Sequence, residues 1–108
     1  MKIALIKSNG MSSTDLITSL PPNTTEIVSL AENDLDESIK GVISEAGIEL
    51  VEFIMELEKH TYRESLRYKV AVIRQSDMVL AFWDGKNKGT KYLIDRCSDL
   101  GIPIRVFV

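Results

Sequence analysis

Cysteine, histidine, long apolar runs and an excess of basic residues are scarce or missing in this sequence. Its single cysteine, Cys97, excludes an internal disulfide and a cysteine-based metal site. Its single histidine, His60, has no partner at metal-ligand or catalytic-triad spacing. We therefore predict neither a metal ion nor a bound cofactor. No apolar run approaches the roughly 20 residues that span a bilayer. A net charge of −3 disfavours DNA as a partner, because nucleic-acid binders usually carry a basic face.

The amino terminus and the chain length give two further expectations. Met1-Lys2-Ile3 leads directly into an apolar run rather than a signal segment, which together with the lone cysteine points to the cytoplasm. A length of 108 residues predicts one domain over residues 1–108. A chain of this size buries roughly 60–70% of its unfolded surface, which is enough for a hydrophobic core without disulfide or metal cross-links.

Apolar runs of strand length alternate with segments whose apolar residues recur at helical spacing. The runs 2–7 and 77–83 are apolar nearly throughout, which indicates strands buried on both faces. The pattern predicts strands over 2–7, 25–30, 48–54, 77–83 and 103–108, and helices over 12–20, 33–46, 59–75 and 87–100. The residues predicted to face inward are Leu16, Ile17 and Leu20 in the first helix, Leu35, Ile39, Val42, Ile43 and Ala46 in the second, Leu66, Val70 and Ile73 in the third, and Leu93, Ile94, Cys97 and Leu100 in the fourth.

Strands that alternate with helices form a parallel sheet whose two faces are both covered by helices. Right-handed crossovers then give a doubly wound α/β sandwich of three layers. The third and fifth strands are the least apolar, which places them at the edges and predicts a five-stranded parallel sheet in the order 3-2-1-4-5. Ligands of such folds bind at the carboxyl ends of the strands where the order reverses, here between strands one and four. The loops at that point are 7–10 and 84–90.

The loop after the fourth strand has the composition of an anion-binding turn. The apolar run 78–83 stops at Asp84-Gly85, and Gly89-Thr90 opens the next helical pattern. Two glycines and the backbone N–H groups of a helix start lie here, and both the N–H groups and the helix dipole favour negative charge. The turn also carries Lys86, Lys88 and Lys91. The alternative, on spacing alone, is an ordinary strand-to-helix turn whose lysines are merely solvated.

From Asp77 the sequence reads D-x-V-x-A-F-W-D-G-K-x-K-G-T-K, followed by Ile94-Asp95 and then by Gly101-x-Pro103-x-x-Val106. This pattern resembles the SLOG superfamily of the DNA-processing protein DprA/Smf and the LOG proteins, and especially its short stand-alone members. The resemblance implies a Rossmann-like fold that binds nucleotides or nucleotide-derived ligands.

The resemblance places the ligand on the loops after the first and fourth strands. Trp83 is then either a wall of the site that stacks on a base or a packing residue. Relatives often place a basic residue of the third helix near the ligand, and Arg67 is the nearest match. The alternative is a solvated basic stripe that Arg67 shares with Lys59 and Arg63. The implied ligand-binding residues are Ser8, Asn9, Gly10, Trp83, Asp84, Gly85, Lys86, Lys88, Gly89 and Thr90, with Asp36 and Arg67 as further candidates.

Half of the implied phosphate pocket departs from the family pattern. Family members usually end the first strand with Gly-Ser-Arg, where this chain has Lys7-Ser8-Asn9. The glycine-rich motif after the second strand keeps Ser29 and Asp36 but loses its glycines, which would let the backbone approach phosphate closely. The residues that stand in place of family glycines are Lys7, Leu30, Ala31 and Asp34.

One position separates a binder from an enzyme. LOG-type phosphoribohydrolases and the similar nucleoside deoxyribosyltransferases carry a glutamate three residues beyond the threonine, in a Gly-Thr-x-x-Glu pattern. Its carboxylate can act on the sugar, as in other glycosyl-transfer chemistry. Leu93 stands at that place here and supplies neither a charge nor a lone pair. Asp95 is a poor substitute because it lies roughly 200° round the helix from Leu93.

Three function classes follow, and a non-catalytic nucleotide-binding module is favoured. The second is an enzyme that cleaves or transfers a nucleoside with Asp84, Asp36 or another carboxylate. The third is an interaction protein with a degenerate pocket, whose acidic segment 26–58 and basic segment 59–91 pair between subunits. Relatives of this size commonly form homodimers through helices, and the candidate contact residues are Tyr62, Tyr68 and Tyr92.

Overall fold

The computed structural model describes residues 1–7, 13–30, 37–53 and 61–107. Strands and helices alternate along these residues, as the apolar pattern predicts. The strands are β1 (Lys2–Lys7), β2 (Glu26–Ser29), β3 (Glu49–Glu52), β4 (Met78–Phe82) and β5 (Ile104–Phe107). The helices are α1 (Ser13–Ser19), α2 (Glu37–Glu45), α3 (Tyr62–Arg74) and α4 (Lys88–Leu100).

The five strands form one parallel sheet in the order β3-β2-β1-β4-β5, which confirms the predicted Rossmann-like order. β1 lies at the centre, and its inner residues 3–6 are buried because neighbouring strands and two helix layers surround them. The edge strands are shorter than predicted. β3 keeps only residues 49–52, and β5 begins after Pro103, which has no N–H to donate to a ladder.

The sheet separates two apolar clusters, one on each face. Because successive side chains of a strand point to opposite faces, Ile3 and Leu5 of β1 join one cluster, and Ala4 and Ile6 join the other. The first cluster is covered by α1 and α2 through Leu16, Ile39 and Ile43. The second cluster, on the opposite face, is covered by α3 and α4 through Ile73, Leu93 and Cys97.

Two of the residues predicted to face inward do not. Ile17 is 42% exposed, whereas its neighbour Leu16 is fully buried. Adjacent helical residues lie about 100° apart, so in a helix of seven residues only one of the two can point into the core. Ala46 is also exposed, because α2 ends at Glu45 and Ala46 belongs to the turn that follows. Leu35 lies outside the described residues.

The amino edge of the sheet is tied together by Asp77, a residue of the pattern that resembles SLOG proteins. The Asp77 carboxylate accepts a hydrogen bond from the Lys2 N–H at 2.7 Å, and the Asp77 N–H donates to the Lys2 carbonyl at 2.9 Å. Asp77 therefore joins the starts of β1 and β4, at the end of the sheet opposite the predicted site. Over the part of the chain that the structure describes, no helix has the length and apolar character needed to cross a membrane.

Candidate functional site

The candidate site lies where the strand order reverses. β1 and β4 are paired in parallel, with Lys7 opposite Phe82, so the segment that follows Phe82 leaves the carboxyl edge at the centre of the sheet. α3 runs from this edge back to the start of β4, so its first turn lies at the same edge as the first turn of α4. The fold thus brings two helix amino termini to one end of the sheet.

Asp84 organises the turn between β4 and α4. Its Oδ1 accepts hydrogen bonds from the backbone N–H groups of Lys86 at 2.8 Å and Asn87 at 2.7 Å. Gly85, between them, has a φ of 80°, a left-handed conformation that side chains other than glycine rarely adopt. The Asp84 carboxylate was predicted to contact a ligand, but it already accepts hydrogen bonds from two backbone N–H groups of its own loop.

Asn87 caps the amino terminus of α4. Its Oδ1 accepts from the Thr90 N–H at 2.9 Å, and its carbonyl accepts from the Lys91 N–H at 3.1 Å. The same carbonyl accepts from the indole Nε1–H of Trp83 at 3.1 Å. Asparagine is among the preferred N-cap residues because its short side chain reaches these N–H groups. The half-buried Trp83 is therefore fixed against the start of α4.

Two amides of the first turn of α4 stay free. The N–H groups of Lys88 and Gly89 donate to no partner among residues 1–7, 13–30, 37–53 and 61–107. The Thr90 amide, which the sequence also suggested as a donor, is engaged by the cap. An anion at this helix start would therefore be held by the Lys88 and Gly89 amides.

The three lysines of the turn are not equivalent. Lys91 forms an i,i+4 ion pair with Asp95, Nζ to Oδ2 at 2.9 Å, on the outer surface of α4. Lys86 and Lys88 are exposed beside the turn and raise the local concentration of anions. Exposed lysines of this kind each contribute little binding energy because solvent screens them.

At Gly89 the first turn of α4 contacts the first residue of α3. A Cβ added at Gly89 would collide with the phenol oxygen of Tyr62, which lies against the glycine. Gly89 is buried, and Tyr62, the first residue of α3, is 49% exposed. The sequence suggested Tyr62 as a subunit contact and Gly89 as a point of ligand approach. Their contact links residues far apart in the chain, and no local pattern predicts it.

Two polar side chains on the buried side of α3 escaped the sequence analysis. Ser65 and Lys69 lie on the sheet-facing side of α3, in i,i+4 register with the core residue Ile73. Thr90, a predicted ligand residue on α4, is also buried. No hydrogen bond of the Ser65 or Thr90 hydroxyl occurs among the described residues. The i,i+4 spacing of Ser65 and Lys69 with Ile73 is the sequence signal that could have predicted their burial.

Several predicted residues are placed away from the turn or outside the described ranges. Ser8, Asn9, Gly10 and Asp36 lie outside them, as does His60. Arg67 is exposed on α3, roughly 140° round the helix from Tyr62, which supports the solvated-stripe alternative. Leu30, which stands where the sequence pattern that this chain resembles has a glycine, is a buried member of the second apolar cluster.

Leu93, which stands where the hydrolytic proteins that the sequence resembles carry a glutamate, is a core residue. Leu93 is 2% exposed and packs in the second cluster together with Cys97. Burial raises the pKa of the Cys97 thiol above its usual value of 9.0, and a protonated buried thiol is not a nucleophile. The prediction of Cys97 as a small buried hydrophobe is confirmed.

The Asp84 turn is expected to make the stability of the protein depend on pH in the acid range. The backbone N–H groups of Asn87 and Lys86 hold the pKa of the Asp84 carboxyl below its usual value of 3.8. A lowered folded-state pKa means that the charged form stabilises the fold above pH 3.8 and that this stabilisation is lost as the pH falls through the folded pKa.

We expect the difference in unfolding temperature between the parent and Asp84→Asn to be constant from pH 7 to about pH 5 and to shrink below pH 3.8. An Asp84 midpoint above 3.8 in an NMR titration would contradict this.

Comparisons of the chain with protein-family models, curated proteins and solved structures found no match. In the described part of the chain, no group of three or more His, Cys, Asp or Glu residues is arranged to hold a metal ion. The residues of the turn and the helices around it are therefore the features of this chain that bear on its function.

Proposed function

We propose that this protein binds a nucleotide or a nucleotide derivative, in the manner of SLOG proteins, and holds the ligand's phosphate at the start of α4 without catalysing a reaction. The observation that carries the proposal is the pair of free Lys88 and Gly89 amides at the carboxyl edge of the sheet. α4 has 13 residues, so its aligned peptide dipoles place a partial positive charge at these amides.

The Asp84 carboxylate limits how the phosphate can approach. It occupies the amides of Lys86 and Asn87, and its negative charge repels a phosphate. The ligand therefore approaches from the Gly89 side of the turn, away from Asp84. This arrangement predicts modest affinity, which suits a sensor more than a tight carrier.

The chemistry of the surrounding residues favours binding over catalysis. Asp84 is held by two amides of its own loop, Asp95 is paired with Lys91, and Leu93 is buried in the core. A general base or nucleophile must reach the reacting atoms, and these three positions offer none that is available at the turn. An enzyme that uses Asp36 is the alternative, and turnover in the binding experiment would reveal it. The homodimer suggested by the family resemblance stays a prediction, with Tyr68 and Tyr92 exposed on α3 and α4.

The test uses Trp83, the single tryptophan of the chain, as an intrinsic reporter. Its indole N–H bonds to the N-cap residue of α4, so a ligand at the helix start should change its fluorescence. We expect saturable changes with AMP, ADP and ATP and none with adenosine, because the phosphate provides the contact. Calorimetry on the same ligands and product analysis by chromatography complete the measurement. The proposal fails if no phosphorylated ligand binds at millimolar concentration, or if adenosine binds as tightly as AMP.

A further inference from the structure

We infer that α3 supplies the second half of the ligand site, through a seam of hydroxyl groups from Tyr62, Ser65 and Thr90 that binds the phosphorylated sugar of the ligand. This inference rests on the proposed function, and it adds α3, where the sequence predicted a ligand contact only at Arg67. We call these three side chains the hydroxyl seam.

The contact between Tyr62 and Gly89 fixes where the seam lies. The Tyr62 phenol oxygen lies against the first turn of α4, and Thr90 is the next residue along that turn. Ser65 is one turn beyond Tyr62 on α3, and residues three apart lie on the same side of a helix. Ser65 is 3% exposed and Thr90 is 5% exposed, so both belong to the interior beside this contact.

The buried hydroxyls of the seam lack a bond that helical hydroxyls commonly make. Ser and Thr side chains inside helices commonly bond back to a carbonyl of the preceding turn. Thr18 does so to Thr14 at 2.9 Å and Ser19 does so to Asp15 at 2.6 Å. Among the described residues, the hydroxyls of Tyr62, Ser65 and Thr90 make no hydrogen bond. A buried polar group without a partner is costly, and two such groups beside the free amides of α4 point to a ligand that satisfies them.

The chemistry of the seam selects the ligand class. A hydroxyl can donate to a phosphate oxygen and can also accept from a sugar hydroxyl. The amino termini of α3 and α4 lie at the same edge, and both favour negative charge. A phosphorylated sugar offers acceptors and donors close together, so it fits the seam and the Lys88 and Gly89 amides at once. A cation would be repelled by the helix termini.

The experiment removes one hydroxyl at a time through Tyr62→Phe, Ser65→Ala and Thr90→Val. Titrations with AMP, ribose 5-phosphate and inorganic phosphate follow Trp83 fluorescence, and thermal unfolding is measured without ligand. We expect each variant to bind AMP about tenfold more weakly, the effect of one lost hydrogen bond to a charged or polar ligand. Ser65→Ala and Thr90→Val should unfold at the parent's temperature or higher, because each removes an unpaired buried hydroxyl.

Matched controls come from α4 and from the end of α3. Tyr92→Phe removes an exposed phenol from α4 and should leave binding unchanged. Ser76, just after α3, donates its hydroxyl to the Val72 carbonyl of that helix, so Ser76→Ala should bind as the parent does and unfold at a lower temperature. Weaker binding of inorganic phosphate assigns a hydroxyl to the phosphate, whereas a loss confined to ribose 5-phosphate and AMP assigns it to the sugar; both support the inference.

Other outcomes overturn the inference in distinguishable ways. If the parent binds AMP and all three variants bind it equally well, the seam is wrong while the proposed function stands. If binding falls only in step with a lowered unfolding temperature, the hydroxyls are structural and the seam is wrong again. If the parent binds none of the three phosphorylated probes, the proposed function fails and the seam fails with it.

Discussion

Replacing Leu93 by glutamate is expected to unfold the protein at neutral pH rather than to create a hydrolytic site. Leu93 packs in the second apolar cluster between α4 and the sheet. Loss of a buried leucine side chain costs about 2–5 kcal/mol, and burying a carboxylate adds several kcal/mol more. A domain of this size has a total free energy of unfolding of about 5–15 kcal/mol, so the two costs together remove most or all of it.

The measurement is urea unfolding of Leu93→Glu and Leu93→Met followed by circular dichroism. Leu93→Met nearly conserves volume and should cost less than about 1.5 kcal/mol. Burial raises a carboxyl pKa, so Leu93→Glu should recover part of its stability as the pH is lowered and the glutamate becomes neutral. A Leu93→Glu protein that unfolds at the parent's urea midpoint at pH 7 would show that this side chain does not lie in the core. We therefore expect that a single substitution at Leu93 does not supply the glutamate of the hydrolytic proteins that the sequence pattern resembles.

Replacing Gly89 by valine is expected to abolish phosphate binding and also to lower stability. The valine side chain would collide with the Tyr62 phenol and would also block the bound phosphate. The valine Cβ would displace the Tyr62 phenol, an overpacking that costs about 1–3 kcal/mol. The added methyl groups would also cover the amides of Lys88 and Gly89. We expect an AMP affinity at least tenfold below that of the parent, the equivalent of about 1.4 kcal/mol.

A double-mutant cycle with Tyr62→Ala separates the two effects. In the Tyr62→Ala background the collision is gone, so Gly89→Val should destabilise the protein less, and the difference between the two backgrounds reports the Tyr62–Gly89 coupling. Chemical denaturation gives the stabilities, and Trp83 fluorescence gives the affinities. If Gly89→Val binds AMP as well as the parent does, the start of α4 does not hold the phosphate, and Gly89 serves only to admit Tyr62.

The turn between β4 and α4 shows how much of a binding site can be predicted from local sequence patterns. The sequence predicts that Asp84-Gly85 ends a strand and that Gly89-Thr90 opens a helix, and the structure has β4 ending at Phe82 and α4 beginning at Lys88. It does not predict that Asp84 occupies two of the turn's own amides or that Asn87 takes the Thr90 amide. Which donors remain depends on side-chain rotamers, and residue type alone does not specify them.

The sequence alone predicts the alternation of strands and helices, the parallel sheet and its order. These follow from periods that backbone geometry imposes on any chain and from the greater apolarity of strands covered on both faces. The folded structure is needed to show that Leu16 rather than Ile17 enters the core, that Asp77 joins β1 to β4 at the amino edge, and that Tyr62 contacts Gly89. Each of these is settled by packing between segments distant in the chain, where the shape of one element selects which residue of another can approach.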